Sequence, residues 1–344
     1  MKKVTLKMIA EEAGVSVSCV TRYVNKSGYV SAEKKKRLDA VLERMDYIPN
    51  QQARFLRGGR SNLIGHIHQD SDENIFFTKM AVSIEKKSFE KGYRTISYVQ
   101  EAGNVQALKD IISDVCLYGV DGIIINSGDC KEMINDIERI LMGVSIPVVM
   151  IERPADVYGI EKILIDNEEG SYIATKKLYN AGHKQIAFLG VKQNSAVENE
   201  RYYGYQQAMK GINHDYAKEH SYFVDEYSVE DGYRETKRIL ESCGESQRPT
   251  AILVASDILA AGVYRALMEL SINIPEDISI VGYDDTIAQF LSPPLSTLQL
   301  PVEEIGEAAV ETLISKINNP AQFVKTIKIS PVFVERNSIK RICP

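Results

Sequence analysis

Apolar residues recur along this chain with two different rhythms, and the rhythm changes near residue 62. Over residues 5–45 they fall three and four apart. Leu6, Ile9, Ala10 and Ala13 share one helical face behind Thr5, whose hydroxyl suits a helix cap. Gly14 follows, able to take positive φ and turn the chain sharply. Ser16 is expected to cap a second short helix, with Val15 and Val20 placed to pack on the first. Ser31 is expected to cap a third, whose Leu38, Val41, Leu42 and Met45 repeat at i, i+3, i+4 and i+7. Two short helices joined by a glycine turn and braced by a third predict a helix-turn-helix unit.

Beyond Asn62, short apolar runs alternate with helical patterns. Strands are predicted at Leu63–Ile67, Arg94–Val99, Gly122–Ile125, Pro147–Ile151, Lys162–Ile165, Gln185–Leu189, Ala251–Val254 and Ile278–Val281. Helices are predicted at Asn74–Lys91, Asn104–Tyr118, Asn167–Ala181, Arg201–Lys210, Glu230–Glu241, Ser256–Leu270 and Val302–Ile317. This alternation predicts an α/β body of parallel sheets with helices on both faces. So many strands fit two sheets better than one. Two sheets facing each other make a cleft at the carboxyl ends of their strands, where a small molecule fits.

Charge divides the chain at the same place. Residues 1–60 carry thirteen Lys or Arg against six acids, a net +7, although the whole chain has 41 basic and 47 acidic residues. The remaining 284 residues therefore carry 28 against 41, or −13. A basic cap on an acidic body predicts a nucleic-acid contact confined to the head. A helix-turn-helix lays its second helix in the major groove. Near that helix's start, Arg22 has the reach for a bidentate contact to guanine, Val17 for a thymine methyl, and Ser18, Thr21 and Asn25 for bases or phosphates. The cap residues Thr5, Ser16 and Ser31 complete the head's DNA-contact candidates. Lys34–Arg37 is expected to be a solvated basic face. After Tyr47, Pro49 and Asn50 predict a helix start and Gly58-Gly59 a stop. A helix of about two turns is marginal alone. Its Arg54, Leu56 and Arg57 suit the minor groove, with Leu56 as a wedge between base steps.

Residues 4–65 closely resemble the N-terminal region of the lactose/galactose repressor family, LacI/GalR. The resemblance rests on Thr5-Leu6, Ile9-Ala10, Ala13-Gly14-Val15-Ser16, Val20, Arg22, Asn25, Val30-Ser31, Tyr47, Pro49-Asn50, Ala53, Leu56-Arg57 and Ser61. It implies a homodimer on a pseudo-palindromic operator. Its paired hinge helices would lie in the minor groove, with Ala53 small enough for them to approach. Met8, Cys19, Thr21 and Tyr23 depart from the usual residues and bear on operator preference. The body resembles the same family to about Arg336, and so the periplasmic sugar-binding fold. Asp166-Asn167-x-Glu169-Gly170, Arg201-x-x-Gly204-Tyr205, Ser256-Asp257 and Val281-Gly282-Tyr283-Asp284-Asp285 are among the matching segments.

The organisation this implies is a DNA-binding head at 1–48, a hinge helix and linker at 49–61, an effector-binding and dimerisation domain at 62–336, and a tail at 337–344. The large domain is expected to hold two subdomains, 62–161 plus 291–320 and 162–290 plus 321–336, with three crossings between them. By the resemblance Arg201 is the clamp of a sugar effector, and a guanidinium fork can grip two neighbouring hydroxyls. Asp284, ending a strand, would accept from the same polyol. Asn126, Glu152 and Ser256 end or follow other strands and are expected to line the cleft. Phe76, Phe77 and Tyr227 are expected to offer apolar faces to a ring. Ser256 and Leu300 replace a frequent asparagine and glutamine and remove hydrogen-bonding reach, so the effector need not be one of the family's common sugars.

The function expected is an effector-controlled transcriptional repressor of carbohydrate-utilisation genes. Two alternatives stay open: a cytoplasmic sugar-binding α/β enzyme, and a global regulator dependent on a co-repressor. GxxxxGK[ST], GxGxxG after a strand, GxSxG and HExxH are all missing, so no catalytic residue or cofactor is expected. Cys19, Cys116, Cys130, Cys243 and Cys343 are scattered and odd in number, which predicts reduced thiols rather than a disulfide framework or zinc site. His66 and His68 share a strand face without a third ligand, so no metal is expected, and His183 is expected to be a helix-end histidine bonded to backbone. The polar Met1-Lys2-Lys3 start and the lack of a long apolar run predict a cytoplasmic protein without a membrane partner.

Overall fold

The computed structural model describes residues 4–24, 28–45, 47, 60–69, 75–101, 103–126, 134–152, 159–192, 196–244 and 247–342. The chain divides into two units, Met1–Ser61 and Asn62–Pro344. In the first unit α1 (Leu6–Ala13), α2 (Val17–Val24) and α3 (Ala32–Arg44) appear where the periodicity predicts them. The Met8 N–H donates to Thr5 Oγ1 at 3.4 Å, and the Cys19 N–H to Ser16 Oγ at 3.3 Å. Gly14 ends α1 at φ 62°, a conformation in which a Cβ would be strained. Ile9, Ala10, Ala13, Cys19, Val20, Val30, Leu38 and Val41 form the buried core, with Leu42 and Met45 half-buried against it. Arg44 pairs with Glu12 and Tyr23 bonds Asp39, so α3 is tied to both other helices. One expectation needs correcting. Ser31 occupies the cap position of α3, but its hydroxyl makes no capping hydrogen bond.

The second unit begins with β1 (Leu63–Gln69), α4 (Ile75–Glu90), β2 (Arg94–Gln100), α5 (Val105–Leu117), β3 (Gly122–Asn126), α6 (Ile134–Met142), β4 (Val148–Ile151) and β5 (Glu161–Ile165). It continues through α7 (Asn167–Asn180), β6 (Ile186–Val191), α8 (Ala196–Lys210), α9 (His214–Glu219), β7 (Ser221–Val224), α10 (Val229–Ser242), β8 (Ala251–Val254), α11 (Asp257–Glu269) and β9 (Ser279–Asp284). It closes with β10 (Ser296–Gln299), α12 (Val302–Asn318), β11 (Thr326–Ile329) and β12 (Val332–Val334). Among the described residues the strands form two six-stranded sheets, ordered β11-β5-β4-β3-β1-β2 and β12-β10-β9-β8-β6-β7. The first is wholly parallel; the second has β12 antiparallel on β10 at its edge. Every residue of β3 is buried, as expected of a strand covered on both faces.

The chain crosses between the sheets three times, after β5, after β10 and between β11 and β12. The count agrees with expectation, but the positions differ. Residues 161–165 belong to the first sheet, because Glu161 pairs with Val149 of β4. Residues 296–299 belong to the second, where Ser296 pairs with Val281 of β9. Residues 326–329 return to the first, where Thr326 pairs with Lys162 of β5. Division at 161/162 and 290/291 would part β5 from β4 and β10 from β9, and 320/321 would carry β11 with β5 into the wrong lobe.

The core is layered. One cluster covers the outer face of the first sheet, with Ile67, Ile112, Val115, Ile123 and Ile125. Another covers the outer face of the second, with Leu189, Val254, Val263 and Ile280. The third is continuous from Ile64, Phe76 and Met80 through Ile163 and Ile165 to Phe188, Tyr205 and Leu298, so both lobes share it. Cys19, Cys116 and Cys243 are free thiols; Cys130 and Cys343 lie outside the described residues. No helix among the described residues is long and apolar enough to cross a membrane.

Candidate functional site

Two surfaces carry the predicted site residues. In the head, the exposed side of α2 holds Val17, 44% exposed, with Ser18 and Arg22 also exposed and Thr21 half-buried. Cys19 and Val20 face the core instead. Arg22 Nε–H donates to Ser18 O at 3.3 Å and Thr21 Oγ1 to Val17 O at 2.9 Å, while Ser16 and Ser18 hydroxyls bond at 2.9 Å. The polar groups thus fold back on their own helix, and exchanging these local bonds for a partner costs little. Thr5 and Ser31 stand at the starts of α1 and α3. Lys34, Lys35, Lys36 and Arg37 are exposed as expected. Asn25, Asn50, Ala53, Arg54, Leu56 and Arg57 lie outside the described residues.

The cleft site is built around Arg201, which is 5% exposed on α8. Its Nε–H donates to Asn167 Oδ1 at 3.0 Å and its Nη1–H to the Ala255 carbonyl at 2.7 Å. Nη2 lies 3.4 Å from Asp284 Oδ1. The guanidinium plane sits 3.9 Å from the centroid of the Tyr283 ring. Asn167 relays the contact, donating through Nδ2 to Glu152 Oε1 at 3.3 Å. Glu152 follows β4 of the first sheet and Asp284 ends β9 of the second. Arg201 and Asn167 therefore join the carboxyl edges of both sheets. Lys79 of α4 adds a second link, donating to the Asp285 carbonyl at 3.3 Å.

Backbone geometry marks the same place. Glu152, Asp284 and Asp285 have φ of 58°, 101° and 54°, where non-glycine residues are rare. Asp257 holds the strained turn after β9: Thr286 N–H donates to Oδ2 at 2.7 Å and Thr297 Oγ1 to Oδ1 at 2.8 Å. Arg336 pairs with Asp285 at 2.8 Å.

Burial dominates the electrostatics. It pushes the Asp284 carboxyl up to about 8, opposed by Arg201 and aided by Asp257 and Glu152. Glu152 is pushed up to about 7 by burial, again against the pull of Arg201. Burial works against the Arg201 charge, but Asp284, Tyr227, Tyr283 and Glu152 together outweigh it and the guanidinium stays firmly protonated. Burial, then Glu198, holds the Tyr227 phenol well above its ordinary range. The Asn126 Nδ2 and the hydroxyls of Tyr227 and Tyr283 are buried and make no hydrogen bond among the described residues. Such groups carry a desolvation cost that a polar ligand can relieve.

Most of the predicted cleft residues stand in this neighbourhood, in different roles. Arg201, Glu152 and Asp284 converge. Asn126 ends β3 at the same edge of the first sheet. Tyr227 is half-buried between two clusters. Ser256 is buried, and its oxygen accepts from the Leu259 N–H at 3.2 Å as the cap of α11. Phe76 is 4% exposed and belongs to the shared core, with its ring edge-on to the half-buried Phe77. Asn167, Tyr283, Asp257 and the Ala255 carbonyl were not singled out from the sequence. Asn167 and Tyr283 stand inside matching segments at strand ends, and that position was the available signal. His183 bonds Thr250 Oγ1 and the Lys340 carbonyl, both at 3.0 Å, in its expected structural role.

Two family models match the chain: bacterial regulatory proteins of the lacI family over residues 5–50, and a periplasmic binding protein-like domain over residues 175–339. The ribose operon repressor of Haemophilus influenzae is 32% identical over 97% of this chain and 98% of its own length. The transcriptional repressor PurR of Vibrio atlanticus is 30% identical over 98% of this chain and 99% of its own. The lac repressor dimer, solved with operator and the anti-inducer ONPF, superposes with a TM-score of 0.82 at 27% identity, covering 98% of this chain and all of that one. With a helix-turn-helix head, two lobes joined through Arg201, and likeness along nearly its whole length, the chain belongs to the LacI family of bacterial regulatory proteins.

Proposed function

We propose that this protein is a DNA-binding transcriptional repressor whose hold on DNA is set by a small molecule lodged between the lobes of its body. It acts as a homodimer, two heads addressing a pseudo-palindromic operator. In each head Arg22 reads guanine, Val17 meets a thymine methyl, and Ser18, Thr21 and Asn25 bond to bases or phosphates. The segment from Asn50 through Ala53, Arg54, Leu56 and Arg57 enters the minor groove, with Leu56 as the wedge. The effector is a sugar or sugar derivative and the regulated genes serve carbohydrate use, a reading supported by the name of the ribose operon repressor. The protein works in the cytoplasm, carries out no catalytic step and needs no membrane partner.

One observation carries the effector reading. A buried arginine, bonded toward both sheets, leaves buried polar groups unsatisfied around it. A ligand inserted there exchanges bonds with Arg201, Asn167 and Asp284 and so changes how the lobes close. A full switch requires about 5.5 kcal/mol of differential affinity between the two states.

The test is operator binding by the full chain, measured by fluorescence anisotropy on a site selected from random DNA. Addition of free sugars should shift the binding curve for at least one of them; a curve indifferent to every sugar would remove the effector. Arg22→Ala should cost about 1–3 kcal/mol and relax base choice at one position per half-site. Uniform weakening across sequences would mean phosphate contact instead. Leu56→Ala should reduce DNA bending, and an unchanged bend angle would end the wedge.

A further inference from the structure

The helix starts that open from the cleft edges are already occupied by acids. Asp166 caps α7, which carries Glu168 and Glu169 in its first turn. Glu198 stands in the first turn of α8. Asp257 begins α11 behind the cap of Ser256. A helix N-terminus is where backbone N–H groups and the helix dipole receive an anion. At two of these starts one such donor is already taken: the Glu169 N–H by Asp166 at 3.1 Å and the Leu259 N–H by Ser256 at 3.2 Å. The cations are committed as well. Arg201 faces Asp284 at 3.4 Å and reaches Glu152 through Asn167. Lys328 pairs with Asp166 and Arg336 with Asp285, each at 2.8 Å, while Lys79 bonds the Asp285 carbonyl. Among the described residues, buried groups without a hydrogen bond include two neutral ones, the Asn126 amide at 1% exposure and the hydroxyl of fully buried Tyr283, whose ring lies against the Arg201 guanidinium.

From this arrangement we propose that the cleft takes an uncharged polyhydroxy ligand and rejects its phosphorylated counterpart. The proposal rests on the effector reading above and narrows its chemistry. Hydroxyls serve both kinds of group present, accepting from Asn126 and Arg201 and donating to Asp284 and Glu152. A phosphate can only accept. It would have to displace Asp284 from Arg201 and then lie beside that displaced carboxyl, Glu152 and Glu198 in a poorly hydrated space, where like charges repel strongly. Burial is the main upward push on Asp284, and Asp257 and Glu152 add to it as neighbouring negative charges.

The experiment is a thermal-shift and calorimetric comparison on the full chain at pH 8. Each sugar or nucleoside is paired with its monophosphate: ribose with ribose 5-phosphate, glucose with glucose 6-phosphate, adenosine with adenosine monophosphate, with inorganic phosphate alone as a further probe. The expected result is saturable binding of an uncharged member, with its monophosphate at least ~100-fold weaker, or ~2.8 kcal/mol at 1.4 kcal/mol per decade. Glu152→Gln should narrow that ratio by ~10-fold or more; Glu198→Gln serves as the second variant if the first fails to fold. Equal or tighter binding of a monophosphate, or saturable binding of inorganic phosphate, overturns the proposal alone. Absence of binding by every compound at millimolar concentration overturns the effector reading itself.

Discussion

Removing the Arg201 side chain tests the centre of the body. Arg201→Ala deletes the bonds to Asn167 at 3.0 Å and Ala255 at 2.7 Å, the ion pair with Asp284, and the stacking on Tyr283. Those contributions do not add, because the groups share one network. The governing figure is the cost of leaving a buried charge without its partner, about 3–5 kcal/mol. A domain has only about 5–15 kcal/mol in total, so the body's urea midpoint should drop sharply. The effect also has a pH signature. Burial already raises Asp284 to about 8 and Glu152 to about 7, and Arg201 pulls both back. Without that pull the folded chain retains protons that the unfolded chain, with carboxyls near 4, has released. Its stability must then fall as pH rises from about 4 through the raised values. The gap between wild type and variant is therefore expected to be wider at pH 8 than at pH 5.5. Urea titrations at both pH values, followed by the tyrosine fluorescence of a chain with 18 tyrosines and no tryptophan, would measure it. A loss below about 1 kcal/mol, or an equal gap at both pH values, would refute the reasoning.

Two further outcomes follow from the packing. His66 is buried with neither ring nitrogen bonded among the described residues, and burial, then His68, lowers it to about 3, so the body should lose stability as pH falls below the ordinary histidine value near 6.5; His66→Leu should flatten that acid limb, and an unchanged limb would place the titrating group elsewhere. A Cβ on Gly204 would meet the Glu168 carbonyl at 2.0 Å, forcing α7 and α8 apart. Gly204→Ala should cost at least ~2 kcal/mol and weaken the effector response, because Glu168 adjoins Asn167; a normal melting temperature would show that the helices can part freely.

The head and most of the parallel strands were legible because their signals are local. Each apolar repeat of α1 to α3 sits in one helix, and β3 or β8 is an unbroken apolar run. The missed elements lack that signal. β10 is Ser-Thr-Leu-Gln, and its buried Ser296 and Thr297 are satisfied by Ser338, Arg336 and Asp257 from distant sequence. β7 is an edge strand with three of four residues only half-buried. Lobe membership of β5 and β11 depends on which strand each pairs with, which no local pattern encodes. The cleft was partly legible for the same reason. Arg201 and Asp284 stand out by chemistry and strand position. Asn167 looks like an ordinary helix start, and Ser256 does not reveal that its oxygen is spent on a cap.

The three-layered core separates two kinds of damage. A small cavity under α5 or α11 stays within one lobe's outer layer, and its cost is paid where it arises. A comparable cavity at Ile165, Phe188 or Leu298 loosens the layer that both halves hold in common. Substitutions at those positions would be felt as altered closure before they were felt as unfolding, so variants that misregulate without losing solubility should concentrate there.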